Sequence, residues 1–158
     1  MPPMLSRILE PGYLAKAGAL AVCYVVAAKA SLLLAIPPGY ATAVWPPSGI
    51  ALAALLLYGT RVWPGVWLGA LLANFAINQS LGLAAAIATG NALEALLAAW
   101  LVQRFLDMGR EFPRVESVFR FALIAAISNS VATTSNVASL YLSGRIVPGE
   151  LLGNWYTW

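Results

Sequence analysis

Five long apolar stretches, nearly free of charge, constrain this chain more than any other feature. They cover roughly residues 13–36, 41–59, 64–79, 81–105 and 118–142, and a further apolar segment starts near Glu150. Each is close to the about 20 apolar residues that a helix needs to cross a hydrocarbon core of about 30 Å. The composition agrees. Hydrophobic residues make up 61% of the 158 and charged ones 9%, against about 25% charged in soluble domains. So few charges cannot coat a water-facing surface. A membrane β-barrel needs alternating polarity along each strand, and these stretches do not alternate. The expectation is an all-α integral membrane protein: one polytopic bundle of five transmembrane helices plus the start of a sixth, with the lipid bilayer as its first partner.

The breaks between stretches have local causes. Pro37, Pro38 and Gly39 end the first, because proline cannot continue the helical hydrogen-bond ladder. Pro64 opens the third, where a first-turn proline costs nothing. Arginines and lysines fall on one set of connections. Arg7 and Lys16 lie near the first stretch, Arg61 between the second and third, and Arg104, Arg110, Arg114 and Arg120 around the connection from the fourth to the fifth. The alternate connections, residues 37–47 and 79–83, carry no charge; Arg145 lies on their side. The positive-inside rule then places the N-terminus in the cytoplasm. The N-terminus also loosely resembles a cleavable signal peptide, but its lead is long and Lys29 falls in the cleavage triplet.

Several functions are excluded or disfavoured. The net charge of +3 follows from the loop arginines, and no basic patch on a soluble face suggests nucleic acid. There is no histidine and only one cysteine, Cys23. No metal site, cofactor or catalytic residue is therefore expected.

Polar groups inside the apolar stretches need a reason, since a charge at the bilayer centre costs at least about 2.5 kcal/mol. Glu94 lies near the middle of the fourth stretch and Lys29 in the outer third of the first. They read either as a ligand-binding or proton-coupling pair or as a structural ion pair; alternatively Glu94 is neutral, or Lys29 snorkels to the surface. Asn91 shares a helix face with Glu94. Asn74 and Asn78 share one in the third stretch. Asn129, Thr133 and Asn136 form a stripe in the fifth, beside Ser128, Ala132, Ser135 and Ser139. Each stripe alone serves as interhelical glue; together they suggest a polar interior. At the entrance to the second stretch, Trp45, Pro46 and Pro47 read first as a rigid interfacial corner. The second reading is an anion site at a helix N-terminus capped by Ser48. The candidate ligand or signal residues are thus Lys29, Asn74, Asn91 and Glu94, with Trp45 and Ser48 at the outer mouth.

Three blocks carry a family resemblance. They are Trp45-Pro46-Pro47-Ser48-Gly49-Ile50-Ala51-Leu52-Ala53 with Leu57-Tyr58-Gly59, then Trp63-Pro64-Gly65-Val66-Trp67-Leu68-Gly69-Ala70 with Ala73-Asn74, then Gly90-Asn91-Ala92-Leu93-Glu94-Ala95-Leu96-Leu97. In this order, with Lys29 ahead of them, the chain resembles the membrane-associated sensor domain of the first class (the MASE family). The resemblance implies an input domain of bacterial signalling proteins, with about eight spans, preceding a histidine kinase or a cyclic-di-GMP enzyme. Asn154-Trp155-Tyr156-Thr157-Trp158 resembles the opening of its next span, so the chain reads as the N-terminal part of such a domain. The expectation is a sensor of a small ligand of unknown identity that signals to a C-terminal output domain. Self-association as a homodimer stays open. The alternatives are a small-molecule transport component using the same polar interior and a purely structural membrane subunit.

Overall fold

The computed structural model describes residues 11–33, 45–106 and 115–157. Those residues are helical and contain no strand. The order is α1 (Pro11–Leu32), α2 (Pro46–Tyr58), a 3-10 turn (Thr60–Val62), α3 (Trp63–Asn78), α4 (Leu81–Phe105), α5 (Val115–Leu142), a second 3-10 turn (Pro148–Glu150) and α6 (Leu151–Thr157). The sequence-derived ends of the first and second stretches (residues 34–44) and the connection at 107–114 lie outside the described residues.

Helix boundaries follow from residue chemistry. α2 carries prolines in its first turn, where their missing N–H groups leave fewer donors to satisfy. Gly59, at φ 86°, ends it. α3 closes on Gln79 in the left-handed region at φ 53°, a conformation that a Cβ makes unfavourable. Ser80 caps α4 by accepting from the Leu83 N–H at 3.5 Å.

Among the described residues, three helices are long and apolar enough to cross a membrane: Gly12–Leu32, Leu81–Phe105 and Val115–Leu142. α2 has 13 residues and α3 has 16, which at about 1.5 Å per residue give only about 20 and 24 Å. Five spans and the start of a sixth were expected from the sequence; the described helices supply three of spanning length, with α2 and α3 shorter than the hydrocarbon core.

The contacts fix the helix directions. The Tyr13 hydroxyl donates to the Arg61 carbonyl at 3.0 Å, and the Lys16 ammonium sits 5.3 Å from the Tyr58 ring centroid. The start of α1 therefore meets the end of α2. Gly65 faces Ala17, and Gly69 faces Ala21 and Tyr24, so α1 and α3 run parallel. A Cβ on Gly65 would lie 2.5 Å from the Ala17 carbonyl oxygen, and one on Gly69 2.7 Å from Tyr24 Cβ. Two glycines four residues apart thus let two backbones touch, as small residues do in membrane helix pairs. The Trp67 indole donates to Thr89 at 3.1 Å, tying α3 to the antiparallel α4. Beyond α5, Arg145 donates to the Asn78 carbonyl at 3.2 Å and so closes the C-terminal end of α3.

α4 is the central helix, packed against α2, α3 and α5. Its buried residues are mostly small: Ala84, Ala88, Gly90, Ala92, Ala95, Ala98 and Ala99. The main core joins Leu20, Tyr24, Leu55, Val66 and Ala99, while Leu56 packs against a second cluster of Val102, Leu106 and Ile124. Val22, Val26, Leu57, Leu72, Leu93, Trp100, Phe119 and Leu123 point outward. Such an apolar exterior is what a lipid-facing bundle requires, since lipid tails solvate it as well as a protein core does.

Candidate functional site

A polar junction lies where α1, α4 and α5 meet inside the apolar bundle. Asn91 of α4 is its hub. Its Nδ2 donates to the Tyr24 hydroxyl of α1 at 3.2 Å, and its Oδ1 accepts from Asn136 Nδ2 of α5 at 3.0 Å. All three are buried, with 7% of Asn91 and 1% each of Tyr24 and Asn136 exposed. A buried amide left unpaired is costly, so these bonds fix how the helices meet. Gly90 makes the approach of α5 feasible. A Cβ there would lie 2.6 Å from Asn136 Oδ1 and 3.0 Å from Ser135. Asn136 Oδ1 and the nearby-numbered Ser128 hydroxyl are buried without a hydrogen-bond partner.

Beside this junction lie half-buried residues at the start of α2 and on α4. The Ser48 side chain lies near the Glu94 carboxyl. The Trp45 side chain lies near the Tyr24 hydroxyl. Trp45, Ser48 and Glu94 are each partly exposed. Partly exposed side chains thus adjoin a buried amide–phenol–amide chain.

Of the six residues marked in the sequence, four come together here: Trp45, Ser48, Asn91 and Glu94. Lys29 does not. It is exposed in the last turn of α1, and no ion pair joins it to Glu94. The pairing expected from the sequence is therefore absent, and of the alternatives a lysine directed outward fits its exposure. Asn74 does not join either. It is buried, but its Nδ2 donates to the Ala70 carbonyl in its own helix at 2.9 Å. Ser48 does not cap α2. Trp45 is the N-cap, without a side-chain bond, and the Ser48 N–H donates to the Trp45 carbonyl. Because Pro46 and Pro47 have no N–H, this helix start presents few donors, which removes the basis for an anion site. The stripe expected on α5 splits: Thr133 and Asn136 are buried, and Asn129 is exposed.

Tyr24 was missed by sequence reasoning, although a tyrosine in mid-stretch is itself a signal. A buried tyrosine usually needs a partner for its hydroxyl, and Asn91 and Asn136 were the available amides.

The fold and the junction define a class: an all-helical membrane protein with a buried polar junction between its helices. The chain belongs to the MASE1 family, whose profile matches residues 17–158. This is a family of membrane-associated sensor domains typically found in signalling proteins. Comparison with characterised proteins gives no match, and comparison with solved structures gives none.

Proposed function

We propose that the chain is a multi-pass input domain of the cell (inner) membrane that senses a small ligand or a membrane condition through the Trp45–Ser48–Glu94 group. It passes the change to a C-terminal output domain, a histidine kinase or a cyclic-di-GMP enzyme, and has no catalytic activity of its own. The observation that carries this reading is the buried Tyr24–Asn91–Asn136 chain across α1, α4 and α5, with Glu94 one turn along α4 from Asn91. A ligand that binds one helix packing better than another shifts the population between them. Because Asn91 bonds to two other helices, a movement of α4 at Glu94 disturbs both.

The orientation follows the charges. Lys16, Arg61, Arg104 and Arg120 belong to the end where α1 starts, and this supports a cytoplasmic N-terminus. In that arrangement α2 and α3 complete five crossings by being set deeper or with the bilayer thinned around them. In a Cys23→Ser background, a cysteine at Ser143 should react with an impermeant maleimide in intact cells, whereas one at Arg61 should react only after permeabilisation. The reverse pattern contradicts this orientation. The functional reading is tested by determining the coding region beyond Trp158. Further apolar spans followed by a kinase or cyclase domain are expected; a stop codon there overturns the input-domain reading.

A further inference from the structure

Two cations stand together at one end of the bundle. Lys16, near the start of α1, and Arg61, in the 3-10 turn between α2 and α3, are both exposed. Two contacts join their segments. The Tyr13 hydroxyl donates to the Arg61 carbonyl at 3.0 Å. The Lys16 ammonium lies 5.3 Å from the centroid of the Tyr58 ring, a distance at which a cation is attracted to an aromatic face. Tyr13 and Lys16 share a face of α1 by their spacing. The contact of Gly65 with the Ala17 carbonyl holds the start of α3 at the same place. Among the described residues neither cation is ion-paired. The described acids are engaged or placed elsewhere. Glu116 pairs with Arg120 on α5, Glu94 lies in mid-α4, and Glu150 accepts from the Val147 N–H in the second 3-10 turn.

The surroundings narrow what such a pair of cations takes. A guanidinium offers a planar fork that fits a phosphate, and a lysine adds a compact charge beside it. Tyr58 and Trp63 are 55% and 43% exposed next to the two cations, as aromatic residues are at head-group depth. The neighbouring Leu14 and Leu57 also point outward. A phosphate carried by a lipid is set at this depth by its own acyl chains, which cover those leucines; a free phosphate gains nothing from them. A zwitterionic lipid brings a cation of its own, which two unpaired cations repel.

We propose that Lys16 and Arg61 bind the head-group phosphate of an anionic phospholipid. Tyr58 holds the lysine in place, and the bound phosphate ties the start of α1 to the connection between α2 and α3. The site goes beyond the sensor reading and does not depend on it.

The test uses the full chain of 158 residues in detergent micelles. Native mass spectrometry counts dioleoylphosphatidylglycerol bound against dioleoylphosphatidylcholine, which has the same acyl chains. One molecule of phosphatidylglycerol should bind in clear preference. Lys16→Gln and Arg61→Gln should each reduce that preference by about fivefold, the usual effect of one basic residue at an anionic head group. Arg104→Gln removes the same charge at the same end of the bundle, but from a side chain that lies against Phe105, and should leave the preference unchanged. Circular dichroism checks that each variant keeps its helices. Tyr58→Leu keeps both charges and should reduce the preference by about twofold, so it serves if the glutamine variants do not fold. Equal binding of the two lipids overturns the proposal, as does an unchanged preference in Tyr58→Leu. A loss in Arg104→Gln as large as in Lys16→Gln and Arg61→Gln overturns it in favour of a diffuse charge effect. Displacement of the lipid by equimolar inorganic phosphate overturns it in favour of a free-phosphate site.

Discussion

Gly90 shows how much one missing side chain decides. Its position is set against Asn136 and Ser135 of α5 at distances a Cβ cannot share. Gly90→Ala therefore forces α4 and α5 apart or turns Asn136 away from Asn91, and overpacking of this kind costs about 1–3 kcal/mol. Gly82, in the first turn of the same helix, has nothing within 4 Å. There alanine's helix propensity acts alone, worth up to about 1 kcal/mol. Reversible unfolding in mixed micelles should show Gly90→Ala destabilised and Gly82→Ala neutral or slightly stabilised. Equal effects would mean that the α4–α5 contact is looser than the structure has it. At this scale the sequence was partly legible. Asn91, Glu94, Trp45 and Ser48 stand out because polar or interfacial groups in apolar stretches need partners. Which partner each takes was not legible, since an asparagine bonds as readily to its own helix, as Asn74 does with Ala70, as to another. Lys29 misled for a similar reason. A long side chain near a helix end has an outward route that residue type alone does not reveal.

At the scale of the element, boundaries were readable where a residue forces them. The expected stretch at 81–105 coincides with α4, because Ser80 caps its start. The stretch at 64–79 lies within one residue of α3 (Trp63–Asn78). The second helix differs. A stretch from about 41 was expected, with Trp45-Pro46-Pro47 at its entrance blocking regular helix before it, and α2 starts at Pro46: proline is at home in a first turn, and it biases the residue before it away from the helical region. Hydropathy extends a stretch past such a point, whereas the backbone does not. The parallel pairing of α1 with α3 was not foreseen either, although Gly65 and Gly69 stand four apart in the sequence, because spacing alone does not name the partner. α3 ends at a cost. Gln79 holds a left-handed conformation at φ 53°, which is unfavourable for a side chain by about 1–2 kcal/mol. Gln79→Gly should relieve part of this and stabilise the bundle by about 0.5–1 kcal/mol, read as a higher unfolding midpoint. A lower midpoint would show that the glutamine side chain makes a contact that outweighs the backbone term.

For the whole molecule, the composition and the length of the stretches sufficed for an all-α membrane protein, and the three ordered sequence blocks for its family. The association of the helices was harder to foresee. In a bilayer, apolar surface gives helices no reason to choose one another. Here the choice rests on two devices: glycine-mediated contact between α1 and α3, and the Tyr24–Asn91–Asn136 chain across α1, α4 and α5. The account's central claim is that this chain acts as one unit through the Asn91 amide. The direct test is a double-mutant cycle with Tyr24→Phe and Asn136→Leu, measured by reversible unfolding of the full chain. Each single variant should cost about 0.6–1.7 kcal/mol. The double should depart from their sum by at least about 0.5 kcal/mol, and the coupling should vanish in an Asn91→Leu background. Strict additivity, or coupling that survives Asn91→Leu, would contradict the account.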